Sequence, residues 1–542
     1  MNRIRIFFIL GFFSINTFFA QQKDKPKLVV GIVVDQMRAE YLYRFQDNYS
    51  ENGFKRLMRE GFNVKNMHYN YIPTTTGPGH ASIFTGTTPA NHGIVANDWY
   101  DESKKQTVYC AEDETAFLID GQNNSKKELN KYSRSPKNLQ SLTITDELKL
   151  FSNGHSKVIG LSLKDRASIL PSGHLADYAF WYHTETGDFI TSSYYSDSLP
   201  KWLQEFNRKH IADSLLNLTW DTLKPIEEYK NSGLDDVSME KIFKGKKDAT
   251  FPYNFKKLRN KNGNFALLTQ IPFGNSLLTQ LAKTTVSSEE MGKDDDTDFL
   301  TLSYSSTDYV GHNFGIRSKE IEDTYVRMDN EIAELLMYLD GEVGKDNYLL
   351  FLTADHAASD HPEFLKKSRL QGKFFDLKTI KRLLDTELTK LYGEADYVAY
   401  MDATQIYFNE SSTPKEELLK GALIILKSFE GIKEVYIPTL HNSRNLAIDS
   451  FFRKNYNTKN SGDIILQFKP GWMIKRTEGT THGSSYNDDT HVPLLWYGMN
   501  IPQGETITNY SIDQIVPTLS MLLNIPLPST SSRYPINEVF KK

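Results

Sequence analysis

Residues 27–34, with the sequence KLVVGIVV, form an apolar run that ends directly at Asp35. Short runs of Val, Ile and Leu are typical of strands that are buried on both faces of a sheet. Helix-like segments separate such runs, and residues 318–339 carry apolar side chains near helical spacing. Strands that alternate with helices predict an α/β fold with a largely parallel sheet flanked by helices. The other predicted parallel strands are residues 158–163, 299–304, 348–353 and 492–497.

Polar residues of the types that bind metals and anions stand just after these predicted strands. Because ligands bind at the carboxyl ends of strands in open α/β sheets, we expect these side chains to converge on one edge. Asp308 and His312 are four residues apart, which places both on one side of a helical turn. The residues at the strand ends are Asp35, Lys164, Arg166, Asp308, His312, Asp355 and His356.

A further imidazole, His482, lies in the segment TTHGS and completes a set of three carboxylates and three imidazoles. Oxygen and nitrogen donors of this kind suit zinc. His491, in DTHVPLL, competes with His482 for the place of the third imidazole. Cys110 is the only cysteine, which excludes an intrachain disulfide and a cysteine-rich zinc site.

The segment PTTTGPGH at residues 73–80 offers a nucleophile. The following ASIFTG resembles the first turns of a helix, so Thr76 would stand at a helix entrance, where backbone N–H groups and the helix dipole favour anions. A capping role for Thr76 is compatible with this position. A free threonine hydroxyl is a poor nucleophile, and coordination by a metal is one standard way to activate it.

The bulk properties limit the classes of partner. A chain of 542 residues exceeds what one small core needs, so we expect several cores or one large core with insertions. The formal net charge of −5 gives no sign of the basic surface that nucleic acids or anionic membranes require.

The first 20 residues read as an export signal. Arg3 and Arg5 precede an apolar run at residues 4–13, and Ala20 offers a small residue for cleavage. That run is shorter than the ~20 residues that span a bilayer, although an uncleaved anchor is the alternative. We therefore expect a periplasmic or secreted protein without stable membrane insertion.

The spacing of the motifs predicts a catalytic α/β core built from residues 24–179, 298–364 and 471–542. Residues 180–297 carry none of these motifs and are interpreted as an insertion that caps the site. Residues 365–470 contain an alternating stretch, a helix near residues 415–429 and a short strand, a β-α-β pattern that predicts an inserted α+β subdomain.

The ordered set VVDQM, PTTTGPGHASIFTG, GIVANDWY, LSLKDRASIL, STDYVGH, TADHA and TTHGS resembles the alkaline phosphatase superfamily. It is most like the PafA-type phosphatases, which use a threonine nucleophile, and it runs from Asp35 to about His491. The resemblance implies two Zn²⁺ per chain and favours His482 over His491, because THG matches the ligand motif of related phosphodiesterases. One zinc would be held by Asp35, Thr76, Asp355 and His356, and the other by Asp308, His312 and His482.

The resemblance also implies an activity. Asn97 would bond a phosphoryl oxygen, and Lys164 and Arg166 would contact the transferred phosphoryl group. The expected function is that of an exported, zinc-dependent alkaline phosphatase, a monomer, that hydrolyses small phosphate monoesters through a phosphothreonine. A phosphodiesterase or nucleotide pyrophosphatase, which should lack the Lys-Arg pair, is one alternative. A non-catalytic exported binder of phosphate or zinc is the other.

Overall fold

The computed structural model describes residues 25–121, 133–440 and 446–540, so the predicted export signal lies outside the described residues. A ten-stranded sheet forms the centre of the molecule. Its strands are β1 Leu28–Val34, β2 Phe62–Val64, β3 Leu118–Ile119, β4 Val158–Ser162, β5 Tyr178–Tyr182, β6 Phe189–Ser192, β7 Asp298–Tyr304, β8 Tyr348–Thr353, β9 Leu494–Gly498 and β10 Gly504–Thr506. Their spatial order is β10-β2-β9-β8-β1-β7-β4-β5-β6-β3.

The five central strands, β8-β1-β7-β4-β5, are all parallel, which confirms the predicted α/β class. Both flanks are mixed, because β9 runs antiparallel to β8 and β6 runs antiparallel to β5. The expectation that residues 492–497 form a parallel strand is therefore wrong. A strand buried on both faces shows the same apolar run in either direction, so the pattern carries no information on its orientation.

Helices cover the faces of the sheet, and the predicted helix at residues 318–339 is confirmed. It begins after Ser318, whose hydroxyl accepts a hydrogen bond from the amide of Ile321 at 3.1 Å. Among the described residues, the α-helices of seven or more residues are α1 Phe54–Glu60, α2 Thr76–Thr85, α3 Ile144–Phe151, α4 Asp165–Ser172, α5 Lys201–Arg208, α6 Phe273–Ser288, α7 Ser306–Phe314, α8 Lys319–Leu339, α9 Leu377–Tyr392, α10 Lys415–Lys427, α11 Leu446–Arg453 and α12 Ile515–Leu523.

Shorter elements connect these helices and strands. The shorter α-helices are Tyr41–Arg44, Pro89–His92, Ile211–Leu215, Phe255–Leu258, Pro362–Lys367 and Asn487–Thr490. Small paired strands are Asp98–Asp101 with Gln106–Tyr109, Thr219–Trp220 with Tyr253–Asn254, Lys373–Phe375 with Trp472–Ile474, and Met67–His68 with His491–Val492 and Tyr510–Ser511.

Two large apolar cores form. The main core surrounds the ten-stranded sheet, and it includes Phe189, Leu203 and Leu277 from the predicted cap. Strand β5 crosses the predicted boundary at residue 180, because it pairs with β4 in the main sheet. The domain boundaries themselves stay predictions.

The second core lies within residues 365–470 and packs α9 and α10 against an antiparallel sheet. The strands of this sheet are, in spatial order, Val398–Met401, Gln405–Phe408, Ile464–Phe468 and Ile432–Tyr436.

Among the described residues, no helix is both long enough and apolar enough to cross a bilayer.

Candidate active site

The predicted strand-end residues meet at the carboxyl ends of neighbouring strands. Asp35 follows β1 and Lys164 follows β4, while Asp308 lies in α7 just after β7. The Nζ atom of Lys164 is 2.7 Å from Asp35 Oδ2 and 2.6 Å from Asp308 Oδ2. Asp355 follows β8, and one of its oxygens accepts a hydrogen bond from the amide of Gln36 at 3.2 Å. Residues 320 positions apart in the sequence thus share one edge of the sheet.

Each of the three predicted imidazoles has its Nδ1 atom close to a backbone carbonyl oxygen. His312 Nδ1 lies 2.7 Å from the carbonyl oxygen of Thr480, and His482 Nδ1 lies 2.8 Å from that of Thr74. His356 Nδ1 lies 3.0 Å from its neighbouring carbonyl. A carbonyl can only accept, so Nδ1 of His356 and Nδ1 of His482 carry the proton, and Nε2 of both rings presents a lone pair. Metal-binding histidines have this arrangement. Nδ1 of His312 faces a donor as well as a carbonyl, because Nη1 of Arg476 lies 3.1 Å away.

The Nε2 atoms of all three rings face carboxylate oxygens. Nε2 of His312 is 3.1 Å from Asp308 Oδ1, and Nε2 of His356 is 3.5 Å from Asp35 Oδ1. Nε2 of His482 is 3.8 Å from Asp308 Oδ1. Two acceptors that face each other repel, and a cation bound by both removes that conflict. The donor set therefore fits a metal, in two groups: Asp308, His312 and His482, and Asp35, Asp308 and His356.

The electrostatics of the buried acids agree with this fit. Burial, together with the charge of Asp355, raises the pKa of Asp35 to about 8. Burial also raises the pKa of Asp355 to about 7. Burial and the neighbouring His356 lower the pKa of His482 well below its ordinary value, which keeps this imidazole neutral. Oδ1 of Asp35, Oδ2 of Asp355 and Nε2 of His356 are buried without a hydrogen-bond partner.

His491 lies outside this cluster. Its Nε2 is 2.8 Å from the carbonyl oxygen of Lys65, and its ring stacks on His68 with the centroids 4.6 Å apart. The structure thus brings His482, but not His491, together with Asp308 and His312.

Thr76 is the first residue of α2, and it is buried. The capping position belongs to Thr75, whose backbone is extended, so a capping role for Thr76 is wrong. Gly79 brings this helix against the end of β8, because a Cβ at this position would lie 2.2 Å from the carbonyl oxygen of Asp355. The close approach places the first turn of α2 next to Asp355.

Two of the three predicted phosphoryl-binding residues contact the start of α2. Nη2 of Arg166 is 3.4 Å from Thr76 Oγ1. The side-chain oxygen of Asn97 accepts a hydrogen bond from the amide of Gly77 at 2.7 Å. Lys164 contacts the carboxylates described above, and its ammonium also lies 4.9 Å from the ring centre of Tyr309.

Two residues that support the cluster were not identified from the sequence. Gln36 has a φ of 65°, and its Nε2 donates to Asp308 Oδ1 at 2.5 Å. Gly311 leaves room for this side chain, since a Cβ there would lie 1.9 Å from Gln36 Oε1. Arg476 donates from Nη2 to the carbonyl oxygen of His312 at 2.7 Å. The VVDQM motif contains Gln36, but no sequence signal marks Arg476.

Comparison with known proteins agrees with this geometry. Residues 29–492 match the sequence pattern of the family described as type I phosphodiesterase / nucleotide pyrophosphatase, which is most of the chain. The chain belongs to this family. Its fold also agrees with the resemblance to the alkaline phosphatase superfamily that the motifs indicated.

Relatives within the family are similar over nearly their whole length. The chain is 41% identical to the alkaline phosphatase PafA of Elizabethkingia meningoseptica, over 93% of each chain. It is also 41% identical, over 91% of each chain, to a protein of Myroides odoratus named calcium-transporting ATPase.

Solved structures extend this likeness to the backbone. The crystal structure of wild-type PafA aligns with a TM-score of 0.91 at 42% identity, over 95% of this chain and 99% of that one. A PafA variant in which one threonine, one asparagine, one lysine and one arginine are substituted aligns with a TM-score of 0.90 at 41% identity.

Proposed function

We propose that this chain is an exported, zinc-dependent alkaline phosphatase that hydrolyses phosphate monoesters through a phosphothreonine at Thr76. The observation that carries the proposal is the position of the Thr76 hydroxyl. It lies at the N-terminus of α2, 3.4 Å from the Arg166 guanidinium, and the first turn of this helix approaches Asp355 of the acidic cluster. The similarity to PafA over 93% of each chain supports the same activity.

The proposed metal ligands rest on the resemblance to the PafA-type phosphatases and are supported by the two donor groups. We assign Asp35, Thr76, Asp355 and His356 to one zinc, and Asp308, His312 and His482 to the other. Because Asp308 lies within reach of both groups, it also stands between the two positions. Bound zinc would supply Lewis-acid stabilisation of the charge on the reacting oxygens.

The side chains of the protein account for orientation and charge. The Thr76 oxygen attacks phosphorus while the bond from phosphorus to the ester oxygen breaks, and the alcohol leaves with that electron pair. Water then attacks the phosphothreonine, which releases inorganic phosphate and restores the hydroxyl. The N-terminal amides of α2 and the Arg166 guanidinium orient the anionic phosphoryl group for both steps.

The proposed preference for monoesters rests on the two cations of the site, Arg166 and Lys164. A monoester presents more negative oxygen than a diester, in which an alkyl group replaces one charged position, so Arg166 and Lys164 should favour the monoester. The PafA variant has a threonine, an asparagine, a lysine and an arginine substituted together. These are the residue types of Thr76, Asn97, Lys164 and Arg166. The substituted threonine and asparagine of that variant have the same spacing in the sequence as Thr76 and Asn97. Its substituted lysine and arginine have the same spacing as Lys164 and Arg166.

The other activities fit this site less well. A phosphodiesterase or nucleotide pyrophosphatase would share the metals and Thr76, but it would not need the Lys164 and Arg166 pair. The calcium-transport name of the Myroides relative is not favoured, because calcium takes oxygen ligands and this cluster includes imidazoles. The proposal of export rests on the pattern of residues 1–20. The monomeric state stays a prediction.

Trapping of the intermediate tests the proposal. Zinc-loaded protein is mixed with an aryl phosphate, quenched in acid during turnover and digested for mass spectrometry. We expect phosphate on the peptide that contains Thr76, and none in Thr76→Ala. Turnover with phosphate on another residue, or with full activity in Thr76→Ala, would contradict the proposed nucleophile. Zinc binding without any turnover would favour the non-catalytic binder.

A further inference from the structure

The guanidinium of Arg166 has few anchors in the part of the chain that the structure describes. Nη2 faces Thr76 Oγ1 at 3.4 Å, and Nη1 donates to the hydroxyl of Tyr109 at 3.2 Å. Nε is buried and has no hydrogen-bond partner. Tyr109 is therefore the one hydrogen-bond anchor described for this guanidinium apart from the nucleophile itself.

Tyr109 is in turn held firmly. Its hydroxyl donates to Asp165 Oδ1, and Arg134 Nε donates to Asp165 Oδ2 at 2.6 Å. The Arg134 guanidinium also lies over the Tyr109 ring, 4.8 Å from the ring centre. A phenol that gives its single proton to a carboxylate keeps its lone pairs for a donor such as Arg166.

Burial and the charge of Asp165 keep the pKa of Tyr109 well above its ordinary value. The hydroxyl therefore stays protonated, and the direction of both hydrogen bonds is fixed at the pH values at which the enzyme would be assayed. Charge-assisted hydrogen bonds in a buried network are stronger than neutral ones, so the network restricts the arginine fork.

We infer that Tyr109 is a positioning residue, which holds the Arg166 guanidinium so that Nη2 faces the Thr76 hydroxyl, with Asp165 and Arg134 fixing the phenol. The inference rests on the proposed role of Arg166 at the transferred phosphoryl group. An arginine fork recognises two oxygens only in a narrow range of orientations. Tyr109 therefore acts on the preference for monoesters without touching the substrate.

The hairpin that carries Tyr109 also provides a matched control. Tyr100 lies on the partner strand Asp98–Asp101, and its ring packs against Tyr400 and Tyr407 at 6.4 and 6.0 Å. Tyr100→Phe makes the same chemical change on the same hairpin, away from Arg166.

The test is a double-mutant cycle on the zinc-loaded full chain, with Tyr109→Phe, Arg166→Ser and the double variant. Tyr109→Phe is expected to lower kcat/KM for an aryl phosphate monoester about tenfold, the effect of one hydrogen bond to a charged group. The matching diester should change less than about twofold, because it gains little from the fork. In the Arg166→Ser background, Tyr109→Phe should have no further effect, and Tyr100→Phe should match the wild type.

Several outcomes would overturn the inference. Independent, multiplicative losses in the double variant would show that Tyr109 does not act through Arg166. Equal losses on monoester and diester with a lowered Tm would show a structural role only. Should Tyr109→Phe not fold, Asp165→Asn tests the same network, and unchanged monoester selectivity in that variant would refute it. An inactive Thr76→Ala together with a fully active Arg166→Ser would instead refute the role of Arg166 in the proposed function.

Discussion

Two imidazoles of the site, His356 and His482, each give their Nδ1 proton to a backbone carbonyl and turn Nε2 towards a carboxylate. The backbone, rather than another side chain, therefore fixes the tautomer. Neutral histidine with a fixed free nitrogen is the form that binds a metal, so the site is prepared for a cation before one arrives.

This geometry predicts that His482 and His491 differ sharply although they are close in sequence. His482→Ala should weaken zinc binding by at least about a hundredfold, since loss of a supporting residue alone typically costs 10- to 100-fold. His491→Ala should leave zinc binding unchanged, because its ring stacks on His68 instead. Titration of the chelated protein with zinc measures both affinities. Equal losses in the two variants would contradict the assignment.

The sequence predicts the residues whose position follows from the end of a strand. Asp35, Asp308, Asp355 and His356 are of this kind, because one topological rule places them all. Gln36, Arg476 and Tyr109 could not be predicted, since each acts through a contact with a distant segment. For Arg476 the partner, His312, lies 164 positions away.

At the scale of elements, the apolar runs predict where the strands lie but not their direction. Strands β1, β4, β7 and β8 begin and end within a residue or so of the predicted bounds. Strand β9 has a similar run and is antiparallel to β8. The direction of a strand depends on how the connection before it crosses the sheet. A strand that is buried on both faces has the same apolar run in either direction, so its sequence does not indicate that direction.

Two buried acids, Glu240 and Glu320, lie where residues 180–297 meet helix α8. Burial raises the pKa of Glu240 to about 8, and Asp235 and Asp236 add to this effect. Glu320, in α8, has its pKa raised well above the ordinary value by burial and by Glu240. The fold therefore favours the protonated acid at Glu240.

The sign of the resulting pH dependence follows from linkage. The pKa of Glu240 is higher in the folded than in the unfolded protein, so its contribution to stability is fully present below about pH 4.5 and is lost as the pH rises to about 8. The free energy of unfolding falls by no more than about 1.4 kcal/mol per pH unit over this range. Glu240→Gln should match the wild-type Tm at pH 5 and exceed it at pH 9. Thermal unfolding at both pH values measures this, with the exposed Glu227→Gln as control. A Tm difference that is the same at both pH values would contradict the burial argument.

At the scale of the whole molecule, the site depends on nearly the full length of the chain. Its donors extend from Asp35 to His482, whereas residues 365–470 form a core of their own. The sequence predicts this second core, because its alternating stretch and helix stand apart from the motifs. It does not predict that residues 180–297 pack into the main core, because an interval without motifs says nothing about where its apolar residues go.

The central claim is that this fold hydrolyses phosphate monoesters by means of Thr76. The most direct test is kcat/KM of the zinc-loaded protein for an aryl phosphate monoester against the matching diester, with Thr76→Ala as control. We expect the monoester to be preferred by at least about tenfold, because Arg166 and Lys164 favour its extra negative charge. Thr76→Ala should lower that activity about a thousandfold or more. A preference for the diester, or an active Thr76→Ala, would contradict the account.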